Sequence, residues 1–301
     1  QTKGIKHVVM TGGLALNITS NGRIIEKGLV EADKFFVPAY PADDGTSVGA
    51  ALSVASEEYG FEVMNGDRKI SFGRTYSDSE IKDTLDFFGL AEGIDYDRVD
   101  NDKDLIARVA MAITNDQTVA WFQGGSELGP RALGNRSMLN RLNDPNGNLK
   151  VNRIKNREPW RPSALSIQEE YAAEFLEGIS TAPFMTIAFS VKDSKKEVIK
   201  AGVHQADRST RPQTVALAAN PLYWELLGEI GRRTGIPGVL NTSLNRKGPI
   251  VETPEDALNT YFYGDGLDLL AIGHFIVKTK ARVVPSILNA RDEERLSYMF
   301  Q

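Results

Sequence analysis

The chain has 301 residues, 41% of them hydrophobic and 25% charged, with a net charge of −5 and a pI near 5.4. A chain of this size buries a substantial core and is expected to form two domains, while its acidity counts against general nucleic-acid binding, which needs positive charge over a broad face. Zero cysteines exclude disulfides, thiolate metal sites and a cysteine nucleophile and fit a reducing, cytoplasmic compartment; no apolar run approaches the roughly 18 residues needed to cross a bilayer, and no secretory signal pattern is present.

The chain opens QTKGIKHVVMTGG, without Met, and enters an apolar β-like segment within five residues, as a segment cut from inside a domain would. A strand is expected over 5–10, ended by Thr11, Gly12 and Gly13 and followed by a helix start at LALN. Glycines between a strand and a helix let backbone N–H groups approach an anion at the positive helix end. A second strand, 35–39, leads into PADDGTSVGAAL and a small-residue helix to about Tyr59. There the paired Asp43 and Asp44 suit either a helix N-cap or a metal ion. The polar, Gly-containing stretch 60–77 reads as a connection between domains.

Ser77-Asp78-Ser79-Glu80 opens an amphipathic helix with Ile81, Leu85 and Phe88 on one face, and a second helix spans about 103–115. A strand at 118–122 delivers the chain into residues 129–162, GPRALGNRSMLNRLNDPNGNLKVNRIKNREPWRP. That stretch holds eight basic residues against Asp144 and Glu158, a local net of +6 in an acidic chain. Arginines beside Gly, Pro, Leu and Trp are unlike the Glu/Lys mixture of a solvated helix, so the stretch is expected to bind a small, highly charged anion. Strands are then expected at 162–167, 184–191, 214–218 and 238–240, and helices at 169–176, 222–234 and 254–263. Closing strands at 267–272 and 275–278 and a short charged tail helix at 289–301 complete an irregular α/β alternation.

In order, GGLALN, PADDGTSVGAAL, SELGPRALGNRSML, VNRIKNREPWRP, DRSTRPQTV, VLNTSLN and GPIVETPEDAL resemble the NodU/CmcH family of O-carbamoyltransferases, over residues 7 to about 279. The resemblance implies an α/β protein in two parts. A partial ASKHA (actin/Hsp70-like, TsaD-like) domain with linker would occupy 1–95, and a YrdC-like domain 96–280, with 281–301 as a tail. It implies that the YrdC-like domain makes carbamoyl adenylate from carbamoyl phosphate and ATP, with Mg2+ accompanying the ATP. The ASKHA-like domain would then pass the carbamoyl group to an acceptor hydroxyl, of a sugar, nodulation-factor or antibiotic-type metabolite, using a divalent metal such as Fe2+. The remaining N-terminal ASKHA portion is the implied protein partner; nucleic acid and membrane are not expected.

The residues this implies are as follows. The YrdC-type KxR…SxN signature stands as Lys155-Asn156-Arg157 and Ser243-Leu244-Asn245. Lys155 and Arg157 would point the same way from an extended segment but diverge by roughly 200° on a helix; Glu158-Pro159 favours the extended form. Arg161 joins Lys155, Arg157 and Ser243 as catalytic candidates. Arg131 of GPRALG, Arg211, Asn241, Thr242 and Asn245 would contact substrates, since adenylation is mostly positioning and charge neutralisation. In the first part Gly12, Gly13 and Asn17 match the nucleotide-contacting GGxxxN loop, and Asp43 the acidic metal ligand. The HxxxH pair that completes the family's metal site has no match; the histidines are His7, His204 and His274, with His204 one residue out of place before DRSTR. Two other readings are a threonylcarbamoyl-adenylate synthase, disfavoured by GPRALG and LNTS, and a non-catalytic nucleotide- or RNA-binding module, disfavoured by the acidic charge.

Overall fold

The computed structural model describes residues 6–61, 70–92, 95–179, 181–263 and 265–278. The chain begins with β1 (Val8–Val9), α1 (Ile18–Glu26), β2 (Phe35–Phe36) and α2 (Thr46–Tyr59), in which β1 and β2 pair in parallel. Next come α3 (Asp78–Glu92), β3 (Asp95–Arg98), α4 (Asp102–Thr114), β4 (Val119–Phe122), β5 (Arg136–Asn140), α5 (Gly147–Ile154), β6 (Ala164–Gln168) and α6 (Ala172–Phe175). The remainder is β7 (Phe189–Ser190), β8 (Ser209–Thr210), β9 (Pro212–Val215), α7 (Pro221–Thr234), β10 (Gly238–Ser243), α8 (Pro254–Tyr263), β11 (Leu269–Ile272) and β12 (Phe275–Lys278).

Eight strands form one mixed sheet in the order β3-β12-β11-β4-β5-β10-β6-β9; β11 with β4 and β6 with β9 run parallel, the other neighbours antiparallel. The period of two along β4 assigns its two faces. Val119 and Trp121 join α4 and α7 in one core, while Ala120 and Phe122 join α3 and α8 in another. Each large side chain so buried is worth about 1.5–3 kcal/mol. The flanking helices form where their ends are capped. Asn101 accepts from the Asp104 N–H ahead of α4, and Asn220 from the Tyr223 N–H ahead of α7, whose Pro221 opens the first turn. A third core joins Ala15, Phe35 and Val37 to Leu165, Ile167 and Leu240 of the sheet, so the first segment packs directly on the later one.

Several expectations change. The strand at 184–191 is confined to Phe189–Ser190, and the helix foreseen at LALN starts as a 3-10 turn at Gly13–Leu16 with α1 beginning at Ile18. The basic stretch contains an unforeseen strand and helix, β5 and α5. It is not one patch. Arg136 is fully buried, donating to the Gln123 and Asn135 carbonyls with its guanidinium over the Phe122 ring. Arg141 pairs with Asp116, Lys150 with Asp144, and Arg153 is 80% exposed near Asp265. These four take the bland, structural role of paired or buried charge. Helix α2 has no buried residue, and the tail at 289–301 lies outside the described residues.

Candidate active site

A cleft of about 380 Å3 gathers Arg131, Arg157, Arg161 and Arg211 with Asn241, Thr242 and Ser243, and none of its lining residues is acidic. Burial is the main influence on three of these guanidinium groups and lowers their pKa values. The charge of Arg211 adds to the effect on Arg131. For Arg157, those of Arg161 and Arg211 add, taking it to about 10; on Arg211 itself Asp207 acts in the opposite sense. Arg157, at about 10, remains charged at neutral pH. Self-repelling cations in one partly dehydrated cleft are relieved by a bound anion, which is what the arrangement is suited to do chemically.

The loop from Glu127 to Asn135 carries Arg131 into this cleft. Its two glycines occupy left-handed backbone, φ 108° at Gly129 and φ 106° at Gly134. A Cβ would meet the Ala39 carbonyl at 2.5 Å in the first case and the Tyr223 ring at 2.3 Å in the second, so GPRALG is glycine at both ends for steric reasons. The Glu127 carboxylate closes the loop by accepting from the Leu133 and Asn135 N–H groups, each at 2.7 Å. Burial raises its pKa against those two donors. Asn241 is fully buried and donates to the Ala132 carbonyl at 3.2 Å and the Ser166 hydroxyl at 3.0 Å, tying the loop to β6.

Lys155 and Arg157 are near enough for the charge of Arg157 to act on Lys155, but the backbone between them is not an extended strand. Lys155 caps α5 in helical conformation and Asn156 turns left-handed at φ 48°. Asn is among the few side chains that tolerate this conformation. Arg157 is then held by Asn152, its Nε donating at 2.5 Å. Lys155 is not among the cleft-lining residues. Its Nζ lies beneath Ser243, donating to the Ser243 carbonyl at 2.7 Å and hydroxyl at 2.9 Å and to the Asn245 side chain. Burial, then the charge of Arg157, push its pKa down to about 7.

The first-segment candidates fall elsewhere. Gly12 and Gly13 are exposed, with the Gly12 N–H donating to the Pro41 carbonyl at 2.6 Å. Asn17 is the N-cap of α1, accepting from the Ser20 N–H at 3.1 Å. Asp43 is exposed, whereas one carboxylate oxygen of Asp44 is buried without a hydrogen-bond partner, beside Gly129. His204 contacts Asp207, and His274 bridges Asp78 and Asp102. Among the described residues no cluster of three or more His, Cys, Asp or Glu could hold a metal. Two adjacent carboxylates without an imidazole do not make a complete site for the implied divalent metal. A larger cavity, about 810 Å3, is lined by four glutamates, which unsuits it to a polyanion. Residue-by-residue reading passed over Glu127 and Trp160. The signals were present: an acid just ahead of GPRALG, and a Trp set between prolines.

A profile of the carbamoyltransferase C-terminus matches residues 110–279, and one of the carbamoyltransferase N-terminus matches residues 1–52. The chain belongs to the carbamoyltransferase family. It is 36% identical over 283 residues to nodulation protein NolNO of Sinorhizobium fredii, covering 92% of this chain and 40% of the relative. It is 35% identical to nodulation protein NolO of Bradyrhizobium diazoefficiens, covering 92% and 50%, and 31% identical to nodulation protein U of Rhizobium tropici, covering 81% and 39%. The chain thus spans about half the length of these relatives or less. Among solved structures, full-length HypF in its phosphate- and nucleotide-bound form aligns at TM-score 0.41 and 18% identity, over 60% of this chain and 22% of HypF. Sua5 of P. abyssi aligns at TM-score 0.37 and 12% identity, over 54% and 47%; likenesses of that size assign nothing. No helix among the described residues is long and apolar enough to cross a membrane.

Proposed function

We propose that the arginine cleft forms carbamoyl adenylate from carbamoyl phosphate and ATP, the first half of an O-carbamoyl transfer. The observation that carries this reading is the convergence of four arginines with Ser243 and Thr242 in a cleft that has no acidic lining residue. Membership of the carbamoyltransferase family supports the carbamoyl donor. Two substrates with phosphate groups must be brought together there, and fixed guanidinium groups neutralise them with planar, paired contacts. Water first cleaves carbamoyl phosphate to carbamate and phosphate. A carbamate oxygen then attacks the α-phosphorus of ATP, and pyrophosphate leaves with its electron pair. Arg131, Arg157, Arg161 and Arg211 stabilise charge gathering on the phosphoryl oxygens, while Ser243 and Thr242 present neutral hydrogen-bonding groups to the carbamoyl group. Lys155 sets the Ser243–Asn245 turn and supplies charge from beneath it. Mg2+ would travel with ATP.

In the second half an acceptor hydroxyl attacks the carbamoyl carbon and AMP leaves. We assign that step to the side of the molecule bearing Gly12, Gly13, Asn17 and Asp43, working with further N-terminal sequence of the kind the longer relatives carry. The division into a transfer part, 1–95, and an adenylating part, 96–280, belongs to the same proposal, as does a cytoplasmic location. The test is pyrophosphate release that depends on both ATP and carbamoyl phosphate. Release with threonine and bicarbonate in place of carbamoyl phosphate would instead support the threonylcarbamoyl-adenylate reading.

A further inference from the structure

The cleft has a second character that phosphate chemistry does not use. Trp160 stands on its rim with 70% of its surface exposed. It makes no ring stack or cation contact among the described residues. Yet its turn is firmly held. The Asn152 side chain donates to the Pro159 carbonyl at 3.0 Å and the Arg161 carbonyl at 2.8 Å, and the Asn148 side chain donates to the same Arg161 carbonyl at 3.0 Å. The Arg161 N–H closes the turn onto the Glu158 carbonyl at 3.2 Å. An indole held at a cleft rim by a pinned backbone offers a flat apolar face to a ligand ring.

The rest of the lining agrees. Ile18 and Met185 add apolar surface to the cleft that the four arginines charge. They are fixed to each other's segments, because the buried Asn21 of α1 donates to the Thr186 carbonyl at 2.8 Å and the Ala15 carbonyl at 2.7 Å. Met185 itself is held at φ 55°, an unusual conformation for a non-glycine residue. A ligand with phosphates at one end and a flat, apolar ring at the other matches both halves; inorganic phosphates or a sugar phosphate match only one.

The geometry points to Trp160 as the stacking platform for the nucleobase, with Ile18 and Met185 supplying apolar contact. Ile18 lies on α1, so the first segment contributes to the nucleotide site of the second. This rests on the polyanion reading of the cleft and specifies how ATP is distinguished from other phosphates.

The test compares the full chain with Trp160→Ala and Trp160→Phe, titrating each with ATP and with tripolyphosphate by calorimetry. Trp160→Ala should weaken ATP binding about tenfold or more, the size of a lost base–aromatic stack, and alter tripolyphosphate binding by less than about twofold, since stacking contributes nothing to bare phosphates. Trp160→Phe should retain most of the ATP affinity, and ATP should quench wild-type tryptophan fluorescence but not that of Trp160→Phe. Unchanged ATP affinity in Trp160→Ala, with tripolyphosphate still bound, would overturn the stacking role and leave the polyanion reading standing. Equal weakening of both ligands would also overturn it, since Trp160 would then only shape the phosphate wall. If the wild-type chain binds neither ligand, the polyanion reading itself fails.

Discussion

The arginine cleft and the corner bearing Gly12, Asn17 and Asp43 were both marked by motifs, but they are built differently. In the cleft, side chains from the Glu127–Asn135 loop, the turn after α5, the segment before β9 and the end of β10 arrive from distant parts of the chain and are locked behind the wall. Their charges repel each other, although Arg161 is also paired with Glu158 at 2.7 Å, and a bound anion relieves that repulsion. At the corner the glycines and Asp43 are exposed, Asn17 is engaged in capping, and α2 buries nothing. Motif strength and site completeness are thus separate properties.

The sharpest way to break this comparison is inside the basic stretch. Arg157→Ala should lower carbamoyl-phosphate- and ATP-dependent pyrophosphate release by about 10²–10³-fold, the cost of a lost transition-state donor. Arg153→Ala, at an exposed ion pair, should change it by less than about twofold. Equal effects would return the stretch to an undivided patch. Next in size, Glu127→Ala leaves two loop N–H groups without their acceptor and should cost about 2–4 kcal/mol in denaturant unfolding. Glu127→Gln, which keeps a carbonyl acceptor, should recover part of this.

The pKa of Lys155, about 7, lies below its ordinary 10.5. The charged form is therefore disfavoured by folding, and its penalty grows as pH falls from about 10.5 to about 7 and is constant below. A polyanion in the cleft favours the charged form, so binding takes up a proton and weakens as pH rises above about 7. Calorimetry in buffers of different ionisation heat should register that proton in the wild type and lose it in Lys155→Met. The smallest effect belongs to the corner. Asn17→Ala removes a cap from α1 and should destabilise by about 1 kcal/mol, with tripolyphosphate binding unchanged; a large loss of polyanion affinity would mean the two regions are not separate.

Much of the molecule was legible in the chain. Helices α4 and α7 follow from apolar spacing, and α8, β4, β11 and β12 from runs between polar breaks. The cleft arginines were legible because GPRALG, KNREPWRP and LNTS resemble the motifs of the carbamoyltransferase family. The left-handed turn at Asn156 was not. Periodicity sees a charged, proline-flanked run and cannot tell extended backbone from a helix that ends in one αL residue. Nor could spacing separate Arg136 from Arg131, five residues away, one sunk over Phe122 and the other lining the cleft.

The chain by itself therefore shows which residue types stand where: acidic overall with one cationic stretch, apolar residues at helical or strand spacing, and a capping box where α3 begins. Local sterics and hydrogen bonding act over a few residues, and those features are readable at that range. Only the tertiary structure decided which cations meet. Arg131, Arg157 and Arg211 share a cleft because strand register brings β5, β6, β9 and β10 side by side, across 80 residues of chain for the Gln213-to-Leu133 bond that ties the loop to β9 and 109 for the Asn241-to-Ala132 bond that ties it to β10. Burial and mutual repulsion, on which the proposed anion site rests, exist only once that long-range packing is made.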